Sequence, residues 1–199
     1  MRIWTRIRSP TYAVPRPAVV LAAGLIVAVD AVIPEAGESI WLVGALDEVA
    51  HLATGMVTLG ALGPVVNGHL ARGLVGSSAL LDIDHVPQYS GARWLTADTE
   101  RPYPHSLLTL IAAWGAYWGL RRRAPQCGAT ATARGALIGL AAHFMRDLAE
   151  PDTGMPLLWP IDNRAFRVPR RMYRTALAVG VARRLVGFRS LAQDSEPPK

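Results

Sequence analysis

The sequence contains very little cysteine and almost no lysine. Cys127 is the only cysteine among the 199 residues, so the chain cannot form an intramolecular disulfide, and a cysteine-based metal site is not expected. Lys199 is the only lysine, and charged residues make up only 18% of the chain. Any metal site in this protein would therefore have to use histidine and carboxylate ligands.

Motifs of several common functional classes are also missing. No serine lies in a Gly-x-Ser-x-Gly elbow, which argues against a serine hydrolase of the α/β type. The chain has no phosphate-binding glycine loop of the Walker or dinucleotide kind. Nucleic acid is not indicated as a partner, because the basic residues flank apolar segments and no recognised binding motif accompanies them.

Apolar residues are abundant: they account for 51% of the chain. The segment 17–33 would cross about 25 Å as a helix, at about 1.5 Å per residue. We interpret it as an uncleaved first membrane span rather than a signal peptide, because Asp30 lies inside it and no convincing cleavage site follows. We predict an all-α fold, a multi-pass membrane helical bundle of about four long helices plus a short re-entrant or buried helix. The long segments are 17–33, 49–66, 105–120 and 135–149, and the short one is 73–81.

These segments predict three regions along the chain. Residues 1–16 form a basic N-terminal segment, and residues 17–189 form a single membrane-embedded helical domain whose motif region is 50–170. Residues 190–199 are polar and are expected to be a disordered tail. The sequence contains no feature that sets an oligomeric state.

Arginine supplies almost all of the positive charge in a chain of formal net charge +6. Arginine clusters beside apolar segments suit anionic lipid headgroups or phosphates, so we expect the lipid bilayer as a partner. The basic N-terminus and the "RRR" at 121–123 predict that both of these ends face the cytoplasm, although the five arginines at 164–174 oppose this orientation.

His143 and Asp147 are four residues apart on a predicted helix. This spacing puts an imidazole and a carboxylate on one helical face, within reach of a common ion. Such a pair is more often a simple hydrogen bond than a metal site. In an apolar helix, however, each polar group needs a partner or a function, because leaving it unpaired costs on the order of several kcal/mol.

The stretch "SSALLDIDHVPQ" places Asp82 and Asp84 at the end of the short apolar segment. An irregular or extended backbone would point both carboxylates to one side, where a cation would relieve their repulsion. The alternative is a loop in which Asp84 caps the following element. His85 either joins the site or faces water.

Two further histidines begin apolar segments. His105 follows the stiff "RPYP" at 101–104 and precedes Ser106, which can cap the next helix. His51 lies one helical turn after Asp47, which is a possible partner. His69 has no comparable partner in the sequence and is interpreted as a loop histidine.

The order of these motifs resembles the YdjM family of inner-membrane, metal-dependent hydrolases. The matching pieces are His51, "DID" at 82–84, "RPYPHS" at 101–106, "HFMRD" at 143–147 and "GMPLLWPIDNRAFRVP" at 154–169. The resemblance implies an inner (plasma) membrane location. It carries a site of His51, Asp82, Asp84, Arg101, His105, Ser106, His143 and Asp147, with Trp159 and Pro160 as a late structural marker.

The chain departs from the family pattern before Asp82 and in the stretch 100–106, where Arg-Pro-Tyr-Pro-His-Ser stands for Arg-Gly-x-Thr-His-Ser. Leu81 stands where the family tends to have proline before the first aspartate, and Glu100 replaces the histidine before Arg101. The matching ligands remain in place, but the loop that presents His105 is altered, which bears on substrate choice and on activity.

The motifs together predict a membrane-bound metal-dependent hydrolase. Three histidines and three carboxylates suit zinc first, with manganese or iron as alternatives, and they are numerous enough for two ions. Metal-activated water would attack an ester or phosphodiester of a lipid-like or phosphate-containing substrate. The expected metal ligands are His51, Asp82, Asp84, His105, His143 and Asp147; Asp84, His105 and Asp147 are also the catalytic candidates, and Arg101 and Ser106 bind substrate. The alternatives are a non-catalytic membrane protein that binds metal or a partner and, less favoured, a metal-independent lipid phosphatase.

Overall fold

The computed structural model describes residues 10–35, 39–91, 104–150 and 154–187. This part of the chain is mostly helical, as predicted. Two short strands, β1 (Thr11–Ala13) and β2 (Val65–Asn67), accompany the helices. The helices are α1 (Arg16–Val32), α2 (Ile40–Leu62), α3 (Gly68–Leu80), α4 (His85–Tyr89), α5 (Leu107–Arg123), α6 (Gly128–Asp147) and α7 (Arg170–Val186), with 3₁₀ turns at Ile33–Glu35 and Leu81–Asp84.

Helix α7 is a correction to the expected count of about four long helices. It has 17 residues, so five helices in the described residues are that long or longer, including all four predicted ones. The sequence interpretation missed this helix because its many arginines make the segment polar on average. Tyr173 and Gly180 nevertheless face inward, and α7 packs on α2 and α1.

Helices α3 and α6 approach each other closely because glycines line their contact. A Cβ atom on Gly135 would collide with the backbone of Leu70, and one on Gly73 would collide with the backbone of Thr132. Across the same contact the Ser77 hydroxyl donates to the Ala136 carbonyl at 2.8 Å. This close approach aligns the end of α6 with the 3₁₀ turn that follows α3.

The start of the described chain is tied to the helical body. Strands β1 and β2 pair antiparallel, with Tyr12 opposite Val66. Val14 is almost completely buried, and the guanidinium of Arg184 on α7 donates to its carbonyl at 3.0 Å. The end of the predicted basic segment 1–16 is therefore part of the packed structure.

Among the described residues, α2 alone has both the length and the apolar composition of a membrane-crossing helix. One third of its most apolar stretch is buried within the protein, and its other face exposes large side chains such as Trp41 and Leu42. Helix α1 also exposes apolar side chains, including Leu21 and Val27. The buried face of α2 carries His51 towards the other helices.

Candidate metal centre

Five different parts of the chain bring ionisable side chains to one buried place. His51 comes from the middle of α2, and the last turn of α6 supplies two more side chains. The 3₁₀ turn after α3, the start of α4 and the residues before α5 supply the others. The cluster consists of His51, Asp82, Asp84, His85, His105, His143 and Asp147, and we call it the His–Asp cluster.

The α6 pair lies where its spacing predicts. His143 Nε2 is 3.1 Å from Asp147 Oδ2, and Asp147 Oδ1 is 3.2 Å from His51 Nε2. The rings of His51 and His143 stack with centroids 3.9 Å apart. His51, His143 and Asp147 are each at most 1% exposed, so this part of the cluster is shielded from water.

Asp82 lies at the centre of the cluster. Its Oδ1 atom is 3.1 Å from His105 Nε2, 3.4 Å from His143 Nε2 and 3.3 Å from His85 Nδ1. Its Oδ2 atom is 3.4 Å from His51 Nε2. One carboxylate therefore faces four imidazoles from four separate segments of the chain.

Asp84 lies at the other end of the cluster. Its Oδ1 atom is 3.1 Å from His85 Nδ1 and its Oδ2 atom is 3.4 Å from His105 Nδ1. The tight 3₁₀ turn Leu81–Asp84 directs both aspartates inward, which is the irregular backbone that the sequence interpretation required. The alternative role of Asp84 as a cap is not needed to explain its position.

Hydrogen bonding fixes the orientation of one imidazole. Because a carbonyl can only accept, His143 Nδ1 donates to the Ser78 carbonyl at 3.0 Å. A neutral His143 then presents the lone pair of Nε2 to the cluster, 3.2 Å from His105 Nε2 and close to two carboxylates. Lone pairs that converge in this way repel one another unless a proton or a cation lies between them.

Several buried atoms of the cluster have no hydrogen-bond partner within the described residues. They include both ring nitrogens of His51, both carboxylate oxygens of Asp84 and Nδ1 of His105. A buried polar group without a hydrogen bond costs about 1–3 kcal/mol. The donor set therefore fits a divalent metal ion, which would satisfy these atoms together.

The two aspartates of the turn are held in their ionised form. Burial raises the pKa of Asp82, but the adjacent imidazoles of His105, His143 and His85 outweigh it, and the pKa lies well below its usual value. For Asp84, burial again raises the pKa, and the adjacent imidazoles of His105 and His85 lower it further than burial raises it. Both groups are therefore available as anionic ligands at neutral pH.

A second layer of charge lies behind the cluster. Arg146, 5% exposed, donates to Asp47 Oδ1 through Nε at 3.0 Å and Nη2 at 2.8 Å, and Nη1 donates to Asp30 at 3.1 Å. Asp47 Oδ2 lies 3.5 Å from His51 Nε2, as the spacing suggested. This network connects α1, α2 and α6 and holds His51 in position.

The predicted metal ligands and the predicted substrate-binding residues differ in where they lie. All six predicted metal ligands lie in the His–Asp cluster, whereas Arg101 lies outside the described residues. Ser106 is buried at the start of α5, and its hydroxyl makes no hydrogen bond within the described part of the chain. The chain just before the late marker Trp159 and Pro160 lies beside the start of α5, since the Leu107 amide donates to the Leu157 carbonyl at 2.9 Å.

Two histidines differ from the sequence interpretation. His85 was left open between the site and water; it is 7% exposed and belongs to the cluster. Its position directly after Asp84 was the available signal. His69 is not in a loop but in the first turn of α3, where Arg72 lies 3.0 Å from its Nδ1 atom.

The fold and the cluster define a helical protein with a buried histidine and aspartate centre able to hold a metal ion. A family profile described as YdjM inner membrane protein matches residues 46–195. The chain therefore belongs to the YdjM inner membrane protein family, which confirms the resemblance found from its motifs. No curated protein and no solved structure matches it.

Proposed function

We propose that this protein is a metal-dependent hydrolase of the inner membrane. The observation that carries the proposal is the convergence of four imidazoles and three carboxylates from distant segments, with buried nitrogen and oxygen atoms facing one another. A structural hydrogen-bond network would satisfy its buried donors and acceptors, whereas several buried nitrogen and oxygen atoms of this cluster have no hydrogen-bond partner within the described residues.

A divalent cation in the cluster would act as a Lewis acid and would make water nucleophilic at neutral pH. The donors are nitrogen and oxygen, and sulfur is absent because Cys127 begins α6 at the opposite end from His143. This donor set favours zinc first and accepts manganese or iron.

Side chains in and beside the cluster are the candidates for proton transfer and for substrate binding. Asp147, Asp84 and His105 are the candidates to accept and return the proton of the attacking water, because each lies within 3.5 Å of another group of the cluster. Ser106 adjoins His105 and is placed to bind substrate, and Arg101 is the proposed anion-binding residue of the same loop.

The substrate that we propose is an ester or phosphodiester carried by a lipid-like or phosphate-containing molecule. Family membership places the protein in a membrane, and the exposed apolar faces of α1 and α2 suit lipid contact. We further propose a multi-pass arrangement, in which α1, α5 and α6 cross the bilayer together with α2. The His–Asp cluster would then be reached from the membrane surface by the polar end of a lipid.

A non-catalytic role in binding metal or a partner is the second candidate, and it uses the same cluster without turnover. The metal-independent lipid phosphatase is disfavoured, because a reaction without a metal does not require three largely buried aspartates around the histidines.

The experiment uses the full chain purified in detergent. Bound metals are measured, and hydrolysis of a chromogenic phosphodiester and of short-chain phospholipids is followed with and without a chelator. His143→Ala should bind less metal and lose turnover, whereas His69→Ala, a histidine outside the cluster, should retain both. Metal retained with no turnover on any ester supports the binding role. Turnover that survives chelation would overturn the proposal.

A further inference from the structure

The His–Asp cluster contains two overlapping sets of ligands. His51, Asp82, His143 and Asp147 each offer one atom within 4.8 Å of the others. Asp82, Asp84, His85 and His105 form a second set by the same measure. Asp82 is the one residue common to both: its Oδ2 faces His51 of the first set, and its Oδ1 faces His85 and His105 of the second set as well as His143 of the first.

We propose that the cluster holds two divalent cations, bridged by Asp82, with His85 as a ligand of the second one. This inference requires the metal centre of the proposed function, but it does not require hydrolysis. The ligand count supports it, because a zinc ion takes four ligands and the seven side chains form two complete sets of four through their shared member.

The charge of the cluster gives independent support. Its three aspartates carry a charge of −3 when ionised, and all of them are largely buried. One divalent cation leaves a buried excess of −1, which would repel an anionic substrate. Two cations leave +1, the sign that binds a phosphate or carboxylate group and stabilises charge that develops on it.

The test measures metal content rather than activity. The full chain is purified in detergent, reloaded with zinc, dialysed and analysed for metal per chain. We expect two ions for the wild type and for His69→Ala, and one ion for His85→Ala and for His51→Ala. Circular dichroism and size-exclusion chromatography confirm that each variant is folded, and His85→Gln replaces His85→Ala if that variant fails.

Manganese loading provides a second readout. Two ions that share a carboxylate give an exchange-coupled electron paramagnetic resonance spectrum, which should become the spectrum of an isolated ion in His85→Ala. One ion per wild-type chain, unchanged in His85→Ala, overturns the two-ion site. If that protein still hydrolyses esters in a chelator-sensitive way, the proposed function survives, so the two failures are distinguishable.

A separate observation concerns the antiparallel pair α1 and α7. A cavity of about 400 Å³ lies between them, with a mainly apolar lining that includes Ile26, Leu177 and Val181. Asp30 and Arg174 line its polar end. The volume lies in the range of small-molecule binding sites, which is about 300–1,000 Å³.

Positive charge is in excess at that polar end. The Asp30 carboxylate is approached by three guanidinium groups: Arg146 at 3.1 Å, Arg170 at 3.7 Å and Arg174 at 3.9 Å. Arg146 is committed to Asp47 as well, whereas Arg170 and Arg174 remain partly exposed. We propose that this groove binds an anionic phospholipid, with an acyl chain between α1 and α7 and its phosphate at Arg170 and Arg174.

Native mass spectrometry of the detergent-purified protein with phosphatidylglycerol or phosphatidylcholine tests the groove. We expect preferential binding of phosphatidylglycerol, reduced at least fivefold by Arg174→Gln and by Ala178→Trp, which fills the groove. Arg171→Gln, on the exposed side of α7, is the matched control and should bind normally. Equal binding of both lipids, equal loss in Arg171→Gln, or competition by free phosphate alone would overturn the proposal. A change in oligomeric state in Ala178→Trp would instead assign the groove to a second copy of the chain.

Discussion

Arg146 neutralises two buried carboxylates, and its replacement by methionine gives a quantitative test of how the metal centre is supported. The guanidinium joins Asp47 on α2 to Asp30 on α1 with hydrogen bonds of 2.8–3.1 Å. Methionine keeps much of the side-chain volume but leaves both carboxylates without their main partner. Removing one partner of a buried ion pair costs about 3–5 kcal/mol, because a charge stays buried without compensation.

The structure sets the expected size within that range. Asp30 retains Arg170 and Arg174 at 3.7–3.9 Å, whereas Asp47 retains, among the described residues, the imidazole of His51 at 3.5 Å. We therefore expect a loss of about 3 kcal/mol, the lower end of the range. For a chain of this size about 3 kcal/mol corresponds to a fall in Tm of roughly 6–12 °C.

The assay is thermal unfolding of the detergent-purified protein, followed by circular dichroism in the presence of a chelator so that metal binding does not contribute. The triple variant Arg146→Met, Asp47→Asn, Asp30→Asn removes the unpaired charges and should recover most of the lost stability. A fall in Tm below about 2 °C in Arg146→Met would refute the reasoning, since it corresponds to less than about 1 kcal/mol. A triple variant no more stable than Arg146→Met would also refute it.

Three further predictions concern packing, hydrogen bonding and metal. Gly135→Ala should destabilise the protein by about 1–3 kcal/mol, because the added Cβ atom collides with the α3 backbone. Gly115→Ala has open space around it and should stabilise the protein by about 0.5–1 kcal/mol. Chemical denaturation measures the free energy of unfolding of both variants. Tyr173→Phe should cost about 0.5–1.5 kcal/mol in the same assay, because its hydroxyl donates to Thr54 Oγ1 at 2.6 Å in a buried place. Zinc at one hundred times its Kd should stabilise the wild type by about 2.7 kcal/mol for each ion bound, and His143→Ala should show a smaller gain in a thermal-shift measurement.

The parts of the site that local spacing determines could be predicted from the sequence. His143 and Asp147 meet because residues four apart share a helical face. Because their surroundings in the sequence are apolar, a partner or a function was expected for both. The convergence of Asp82 with His51 and His105 depends on how α2, α3 and α5 pack. No local pattern encodes that packing, so only the order of motifs pointed to it.

The parts that the sequence interpretation missed have physical reasons as well. Helix α7 carries so many arginines that its average composition hides the inward face of Tyr173 and Gly180. The sequence did not decide whether His85 faces the site or water, because the direction of the chain after Asp84 depends on the 3₁₀ turn that the structure shows. The close approach of α3 and α6 depends on glycines that also suit turns, and their pairing becomes clear only when both helices are in place.

We infer that the scattered motifs gather around a divalent cation. X-ray absorption spectroscopy at the zinc edge, on zinc-loaded full-length protein after extensive dialysis, tests this inference most directly. We expect a first coordination sphere of nitrogen and oxygen with the multiple-scattering signature of imidazole, weakened in His51→Ala, His143→Ala double variants that remain folded. No retained zinc, a sulfur ligand, or an imidazole signature unchanged in the double variant would contradict it.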